Sequence, residues 1–233
     1  YTWHTWIYLI EKKSEIFACF RNLKNLVARE TRRKIKCLRL DGEKEYFSSQ
    51  FNSYLPQMGI WREFSCRYTS EQNGITKRKN RSVVEAARPM LEEKSMPKFN
   101  WAEAVRTAVY IQNWIGEKVS AHELYFERKP NLRHLRVFGS IAYVHVPKEK
   151  RRKLDGKAKK CILVSYSNEQ KGYKCYNPQT KQVRVSRDVV FDESASWYLP
   201  PTPDLNYNPS SEDEVSKDEM PPDEREVETL EES

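Results

Sequence analysis

No stretch of this 233-residue chain approaches the roughly 18 uninterrupted apolar residues of a membrane span, and no basic segment followed by an apolar run opens it. A membrane protein and a secreted one are thereby set aside, and the chain reads as soluble and intracellular, nuclear or cytoplasmic. Its first residue is Tyr1 rather than Met, which suggests a piece of something longer. Cysteine is sparse: Cys19, Cys37, Cys66, Cys161 and Cys175 are odd in number, widely spaced and never in a C-x-x-C pair. Neither a disulfide framework nor a zinc knuckle is indicated. His4, His122, His134 and His145 are scattered among them, so structural zinc is set aside as well.

What is present is charge, unevenly placed. The formal net charge is +8, but residues 198 to 233 hold twelve acids against Lys217 and Arg225, leaving +18 on the first 197 residues. A body that basic favours contact with a polyanion, although a merely well-solvated surface has the same composition. The acidic stretch also carries six of the twelve prolines and few large apolar groups, and is expected to be disordered.

Aromatic and β-branched residues in Trp6 to Ile10 read as a strand, followed by a helix with Ser14 as N-cap and Ile16, Phe20, Leu23 and Val27 on one face. Arg29, Arg32 and Arg33 complement the dipole at its end. Ile35 to Leu40 reads as a short buried strand that hands the chain to Asp41. A second helix is predicted from about Ser48 to Met58, with Phe51, Tyr54, Leu55 and Met58 on one face and a left-handed Gly59 closing it. A strand over Ile60 to Ser65 and a polar loop over 66 to 73 come next. Gly74 then opens a helix through Val83, Val84, Ala87 and Met90, with Pro89 inside it, and a further helix carries Trp101, Val105, Ala108 and Gln112. Alternation of this kind argues for an α/β domain. After Pro130 the pattern changes to short β-rich runs, 135–146, 161–166, 172–176 and 183–191, with a basic loop from Lys148 to Lys160. Strands without helices between them suggest a small barrel.

Three segments carry a family likeness: Leu38-Arg-Leu-Asp-Gly-Glu-Lys-Glu-Tyr46, Tyr68-Thr-Ser-Glu-Gln-Asn-Gly-Ile-Thr-Lys-Arg-Lys-Asn-Arg81, and His134-Leu-Arg-Val-Phe-Gly-Ser-Ile-Ala-Tyr-Val-His-Val146 with Val185-Ser-Arg-Asp-Val-Val-Phe-Asp192. In order and spacing the chain resembles the integrase region of copia-type retrotransposon polyproteins from its start to about Trp197. The resemblance implies an α/β fold: a ribonuclease-H-like integrase core over 1–130 lacking its first strand, an SH3-like β-barrel over 131–197, and an acidic Pro-rich linker over 198–233. It further implies DNA as partner, both element ends and target, with a second copy of the chain as an allowed one, and Mg²⁺ or Mn²⁺ as cofactor.

In that family two aspartates and a glutamate hold the metal, because a hard cation needs oxygen ligands and two ions can flank a scissile phosphate. The resemblance puts the second aspartate at Asp41, the catalytic and metal-binding candidate, in an Asp41-Gly-Glu-Lys-Glu-Tyr46 context that departs from the family's Asp-Asn-Gly-Gly-Glu-Tyr. The third ligand's position is Lys77, and the first aspartate belongs upstream of Tyr1. An ammonium group cannot coordinate Mg²⁺ and repels it, so the ion is not expected to be held productively. Glu43, Glu45 and Glu71 are poorly placed to substitute.

Lys77, Arg78, Lys79 and Arg81 are the nucleic-acid-binding candidates. Lys77 and Arg81, four apart, share a helix face that in the family passes the active site and meets DNA; as an ordinary solvated face it would need no partner. Trp101, Tyr110, Trp114 and Phe138 read as core, and Tyr143, Tyr166, Tyr173 and Tyr176 as core or barrel surface. Three functions compete: a degenerate integrase fragment without catalysis, part of a longer active integrase, and a non-catalytic nucleic-acid-binding or assembly module.

Overall fold

The computed structural model describes residues 2–40, 44–64, 74–167 and 170–199. Among them no helix is long and apolar enough to cross a membrane. The predicted strand at Trp6 to Ile10 does not form: residues 2–10 have no regular structure. They are held instead by side chains. The Thr5 N–H donates to Asn113 Oδ1 (2.9 Å), and Asn113 Nδ2 returns a bond to the Thr5 carbonyl (2.8 Å). A buried amide side chain thus satisfies the backbone that a neighbouring strand would otherwise pair.

Helix α1 spans Ile16–Thr31, behind a 3-10 turn over Lys13–Glu15. Ser14 lies inside that turn and is not the N-cap; the Glu15 carboxylate accepts the Lys12 N–H instead (3.0 Å), and the Glu15 N–H bonds the Lys12 carbonyl. A carboxylate serves better there because it also meets the positive end of the helix dipole. Strand β1 (Cys37–Leu40) runs parallel to β2 (Trp61–Phe64), with helix α2 (Ser49–Gln57) in the connection between them. Gly59 has φ +64°, as its position predicts. Its N–H bonds the Pro56 carbonyl (3.0 Å) while the Ile60 N–H bonds that of Leu55 (2.9 Å), so a Schellman motif closes α2 and turns the chain into β2. Phe20, Phe51, Leu55 and Ile60 form a small core here, but Met58 stays exposed, near the Lys24 ammonium.

The larger core lies elsewhere. Helices α3 (Gly74–Glu93) and α4 (Trp101–Trp114) pack on each other and α4 on a five-stranded antiparallel sheet, placing Val83, Ala87, Val105 and Ala108 against Phe138, Ile162 and Val164. Trp101, read as core, is 39% exposed, because the packed stripe of α4 runs through Ala104, Val105, Thr107, Ala108 and Val109. Thr107 brings its hydroxyl into this apolar seam and donates to the Val164 carbonyl (3.1 Å). A short helix, α5 (Ala121–Phe126), leads to the sheet.

That sheet comprises β3 (Ser140–His145), β4 (Ala158–Tyr166), β5 (Tyr173–Asn177), β6 (Gln182–Ser186) and β7 (Val189–Ser196), in the order β6-β5-β4-β3-β7. The single run expected over 183–191 is two strands. Only Arg187 and Asp188 separate them, yet β6 pairs with β5 and β7 with β3, on opposite edges of the sheet. Two residues cannot cross a flat five-stranded sheet of about 20 Å width, so the sheet must curl towards closure. The basic loop is also shorter than predicted. Ala158, Lys159 and Lys160 belong to β4, opposite His145, Val144 and Tyr143.

Gly139 enters β3 with φ +82°, and a Cβ there would lie 2.7 Å from Lys94 Cβ. Lys94 follows α3 and is buried: its ammonium donates to the Glu193 carbonyl (2.7 Å), and its carbonyl accepts the Ser196 hydroxyl (2.8 Å). The end of α3 is thereby clamped to β7. Tyr198 packs against the larger core; the disorder expected of the tail falls, from residue 200 onward, outside the described residues.

Candidate nucleic-acid interface

Asp41 and the polar loop 66–73 lie outside the described residues, as do Glu43 and Glu71. Strand β1 ends at Leu40, the residue before Asp41, but it is shorter than the buried strand expected over Ile35 to Leu40 and only Leu40 is buried, Cys37 and Arg39 being exposed. Among the described residues no three or more His, Cys, Asp or Glu side chains gather where they could hold a metal ion.

Helix α3 presents the other candidates, and its periodicity divides them. Val83 and Ala87 are buried, so the residue one turn before Val83, Lys79, falls on the packed stripe. Its ammonium reaches α4 and donates to Gln112 Oε1 (2.8 Å), while Gln112 Nε2 donates to the Ser82 hydroxyl and carbonyl (3.2 Å each). Burial lowers the Lys79 pKa below the ordinary lysine value. Lys77, Arg78 and Arg81 lie on the other side of the helix and are exposed, the Arg78 guanidinium folding back over Gly74. The four cations are therefore not one set: three face solvent and one ties two helices together.

Lys77 stands near the start of α3 as an exposed cation. Its chemistry is opposite to that of an oxygen ligand. In the resemblance-bearing segment at 185–192, Asp192 has a structural task. Its Oδ1 accepts from the Ser194 hydroxyl (2.6 Å), the Ser194 N–H (3.2 Å) and the Ala195 N–H (3.1 Å), which holds its carboxyl below the usual aspartate range. These bonds close an irregularity in which Ile141 pairs with Asp192 but Ser140 with Ser196. The irregularity supplies the Glu193 carbonyl that holds Lys94, so it fixes the end of α3 as well.

Sequence reasoning misses how the segment before β3 is held. His134 Nδ1 lies 2.8 Å from the Asn131 carbonyl and must carry a proton to bond it, so Nε2 is the acceptor for the Tyr110 hydroxyl at 2.8 Å. The Tyr173 hydroxyl donates to the His134 carbonyl (3.1 Å), and the Tyr166 hydroxyl bridges the Arg136 N–H and carbonyl (2.9 and 3.1 Å). Three tyrosines thus use their polar ends on this segment, while the Tyr110 and Tyr166 rings stack on each other (ring centres 4.4 Å). The available signal is the tyrosine spacing in β4 and β5, but which carbonyls they reach depends on the fold.

On the five-stranded sheet and just before it the basic residues Lys157, Lys159 and Lys160 are exposed, with the Lys160 ammonium 5.3 Å from the Trp197 ring centre. Burial alternates towards the end of β3 and of β5, whereas β4 changes abruptly from exposed at 158–160 to buried at 161–166. The first third of β4 therefore projects its lysines past the core.

Residues 140–205 match the family model described as the retroviral polymerase SH3-like domain. The chain is 42% identical over 193 residues to the retrovirus-related Pol polyprotein from transposon TNT 1-94 of Nicotiana tabacum, covering 81% of this chain and 14% of that protein. It is 33% identical over 198 residues to the corresponding polyprotein from transposon RE1 of Arabidopsis thaliana, covering 83% and 13%. An uncharacterized mitochondrial protein of the same plant is 36% identical over 92 residues, 37% of this chain and 77% of that protein. The chain thus spans a small part of the length of the Pol polyproteins it matches.

Proposed function

Because this chain belongs to the retrovirus-related Pol polyproteins of transposons, we propose that it is a segment of their integrase region that binds DNA without catalysing strand transfer. One observation carries the reading: Lys77, Arg78 and Arg81 project from α3 as an exposed cationic face, with an ammonium where the resemblance calls for a carboxylate. Three cations fixed on a packed helix suit the phosphate backbone, which supplies affinity without sequence information. A ribonuclease-H-like origin of the first part is supported by the parallel pair β1–β2, crossed by α2, with β1 ending where Asp41 begins.

The residues present do not fit the divalent ions of the family. Lys77 offers positive charge in place of oxygen, so no metal-dependent step is assigned to the chain. Its role is to hold DNA by charge, α3 being anchored at its far end through Lys94 and along its length by Lys79. Replacing Lys77, Arg78 and Arg81 together by Gln is expected to reduce the slope of log K against log[salt] for duplex DNA by about 0.9 for each phosphate left without its cation. An unchanged slope in that variant would refute the α3 face. With Mg²⁺ or Mn²⁺ and duplex ends the chain is expected to yield no joined product; end processing abolished by Asp41→Ala would show the opposite.

A further inference from the structure

A second group of cations lies outside this face. Between Arg29 and Lys36 stand five basic residues and one acid, Glu30, and all six of these side chains are exposed. The helix dipole accounts for Arg29, in the last turn of α1, but not for the residues beyond it. Arg33 pairs with Glu127 (3.3 Å), and Glu30 accepts the Tyr125 hydroxyl (3.1 Å), so the acid is engaged with α5. Arg29, Arg32, Lys34 and Lys36 have no carboxylate partner among the described residues.

The turn that carries them is built. Arg32 caps α1 in the left-handed region (φ +55°), the Thr31 hydroxyl donates to the Val27 carbonyl (2.7 Å), and the Arg33 N–H donates to that hydroxyl (3.2 Å). Ile35 packs against the small core, and the Lys36 carbonyl accepts the Trp61 N–H (2.8 Å). Like charges are therefore held together in a fixed turn, an unfavourable arrangement that an anionic partner relieves.

Trp61 is the independent observation. It opens β2, its N–H bonded to the Lys36 carbonyl and its Cα in register with Cys37, and the residue is 78% exposed. On the neighbouring stretch of the two strands Arg39 and Glu63 neutralise each other (2.8 Å), and the backbone bond from Trp61 to Lys36 joins the exposed indole's residue to the turn that carries the cations. An exposed indole next to fixed cations combines a stacking surface for a base with charges for its phosphates. Duplex DNA offers no free base face, whereas a single strand offers one at every nucleotide. The turn lies at the start of β1, about 10 Å from the other end of that strand at Leu40.

The geometry points to a binding site for single-stranded nucleic acid, with Trp61 stacking on a base and Arg32, Lys34 and Lys36 meeting the adjoining phosphates. It does not rest on the α3 face, and the two are separable by experiment. Binding of the full chain to a short labelled oligothymidylate and to a duplex of equal length is measured across a salt series. Trp61→Ala is expected to weaken single-strand binding about 5- to 150-fold, as removal of one stacked base does, with duplex binding unchanged and Trp61→Phe retaining most of the affinity. Arg32→Gln, Lys34→Gln and Lys36→Gln together are expected to lower the single-strand salt slope by about 0.7 for each phosphate they cease to neutralise. Undiminished oligothymidylate binding by Trp61→Ala, or an unchanged slope in the triple variant, overturns the site whatever the α3 variant does. Equal weakening of duplex and single-strand binding in Trp61→Ala also overturns it, since stacking would then not be the interaction.

Discussion

At the scale of single residues, the structure depends on a few side chains whose neighbours leave them no freedom. Gly139 combines a left-handed backbone with Lys94 Cβ at 2.7 Å from where its own Cβ would be. Gly139→Ala is therefore expected to cost about 2 kcal/mol or more, from backbone strain and from displacing Lys94, read as a lowered midpoint in thermal denaturation. The three histidines of the aromatic run make a second prediction. His4 stacks on Tyr125 (ring centres 4.6 Å), His122 lies against Trp114 (4.3 Å), and His134 stands edge-on to the same indole (4.6 Å). Burial disfavours the imidazolium in each, lowering His4 to about 4 and moving His122 and His134 in the same direction. Their unfolded pKa near 6.5 is then the higher one, so as pH falls the unfolded chain takes up protons first. Stability is expected to be level above about pH 6.5 and to decline towards pH 4. Denaturant titrations at a series of pH values check this, and His4→Leu should flatten the decline.

At the scale of elements, α3 shows how much the sequence can say. The 3.6-residue period places Val83, Ala87 and Met90 on the packed side, and Lys79 falls on that same stripe four residues before Val83. Reading Lys77-Arg-Lys-Asn-Arg81 as one basic block passes over that periodicity. Lys79→Met is accordingly expected to leave the salt slope for duplex DNA unchanged, while Arg81→Gln lowers it; equal effects would contradict the division of the helix. Elements with their own local logic are legible: α2 with its Gly59 closure, the existence of the strand before Asp41 though not its burial, and the first three β-rich runs, the first of them only from Ser140. Those that differ from expectation are decided at a distance. Trp6 to Ile10 has strand composition, but Thr5 just before it finds Asn113 instead of a partner strand. The run over 183–191 has strong β character throughout, and its division at Arg187 and Asp188 follows from which edges of the sheet need pairing. Size alone favours the core for Trp101, yet small residues at 104 and 108 are what allow α4 to approach β4 closely.

For the whole molecule, the cores differ in weight, a third, of four buried residues, lying within the sheet around Ala142, Val144, Cys161 and Cys175. The helix–barrel core joins ten buried residues, most of them from α3, α4 and the sheet, whereas the core beneath α1 and α2 has four. Phe51, 1% exposed and in ring contact with Phe17, Phe20 and Tyr46, is the keystone of that core. Phe51→Ala, at a cost of about 3–5 kcal/mol, is expected to speed hydrogen exchange across α1, α2 and β1–β2 while β3, β4 and β5 keep their protection. Diminished protection in both regions together would mean that they unfold as one cooperative unit. Such uneven strength has a bearing on the two charged surfaces, since the α3 face stands on the stronger core and the Trp61 turn on the weaker.

The two-residue step from β6 to β7 sets how tightly the five-stranded sheet curls. Asp188 fastens it, its carbonyl accepting the His145 N–H (3.0 Å) as the chain crosses from one edge to the other. A tether that short works like the last stitch in a seam: it limits how far the β6 and β7 edges of the sheet can draw apart. Lengthening it is expected to let the sheet unroll and turn the outer edges of β6 and β7, which do not pair with each other, towards neighbouring molecules.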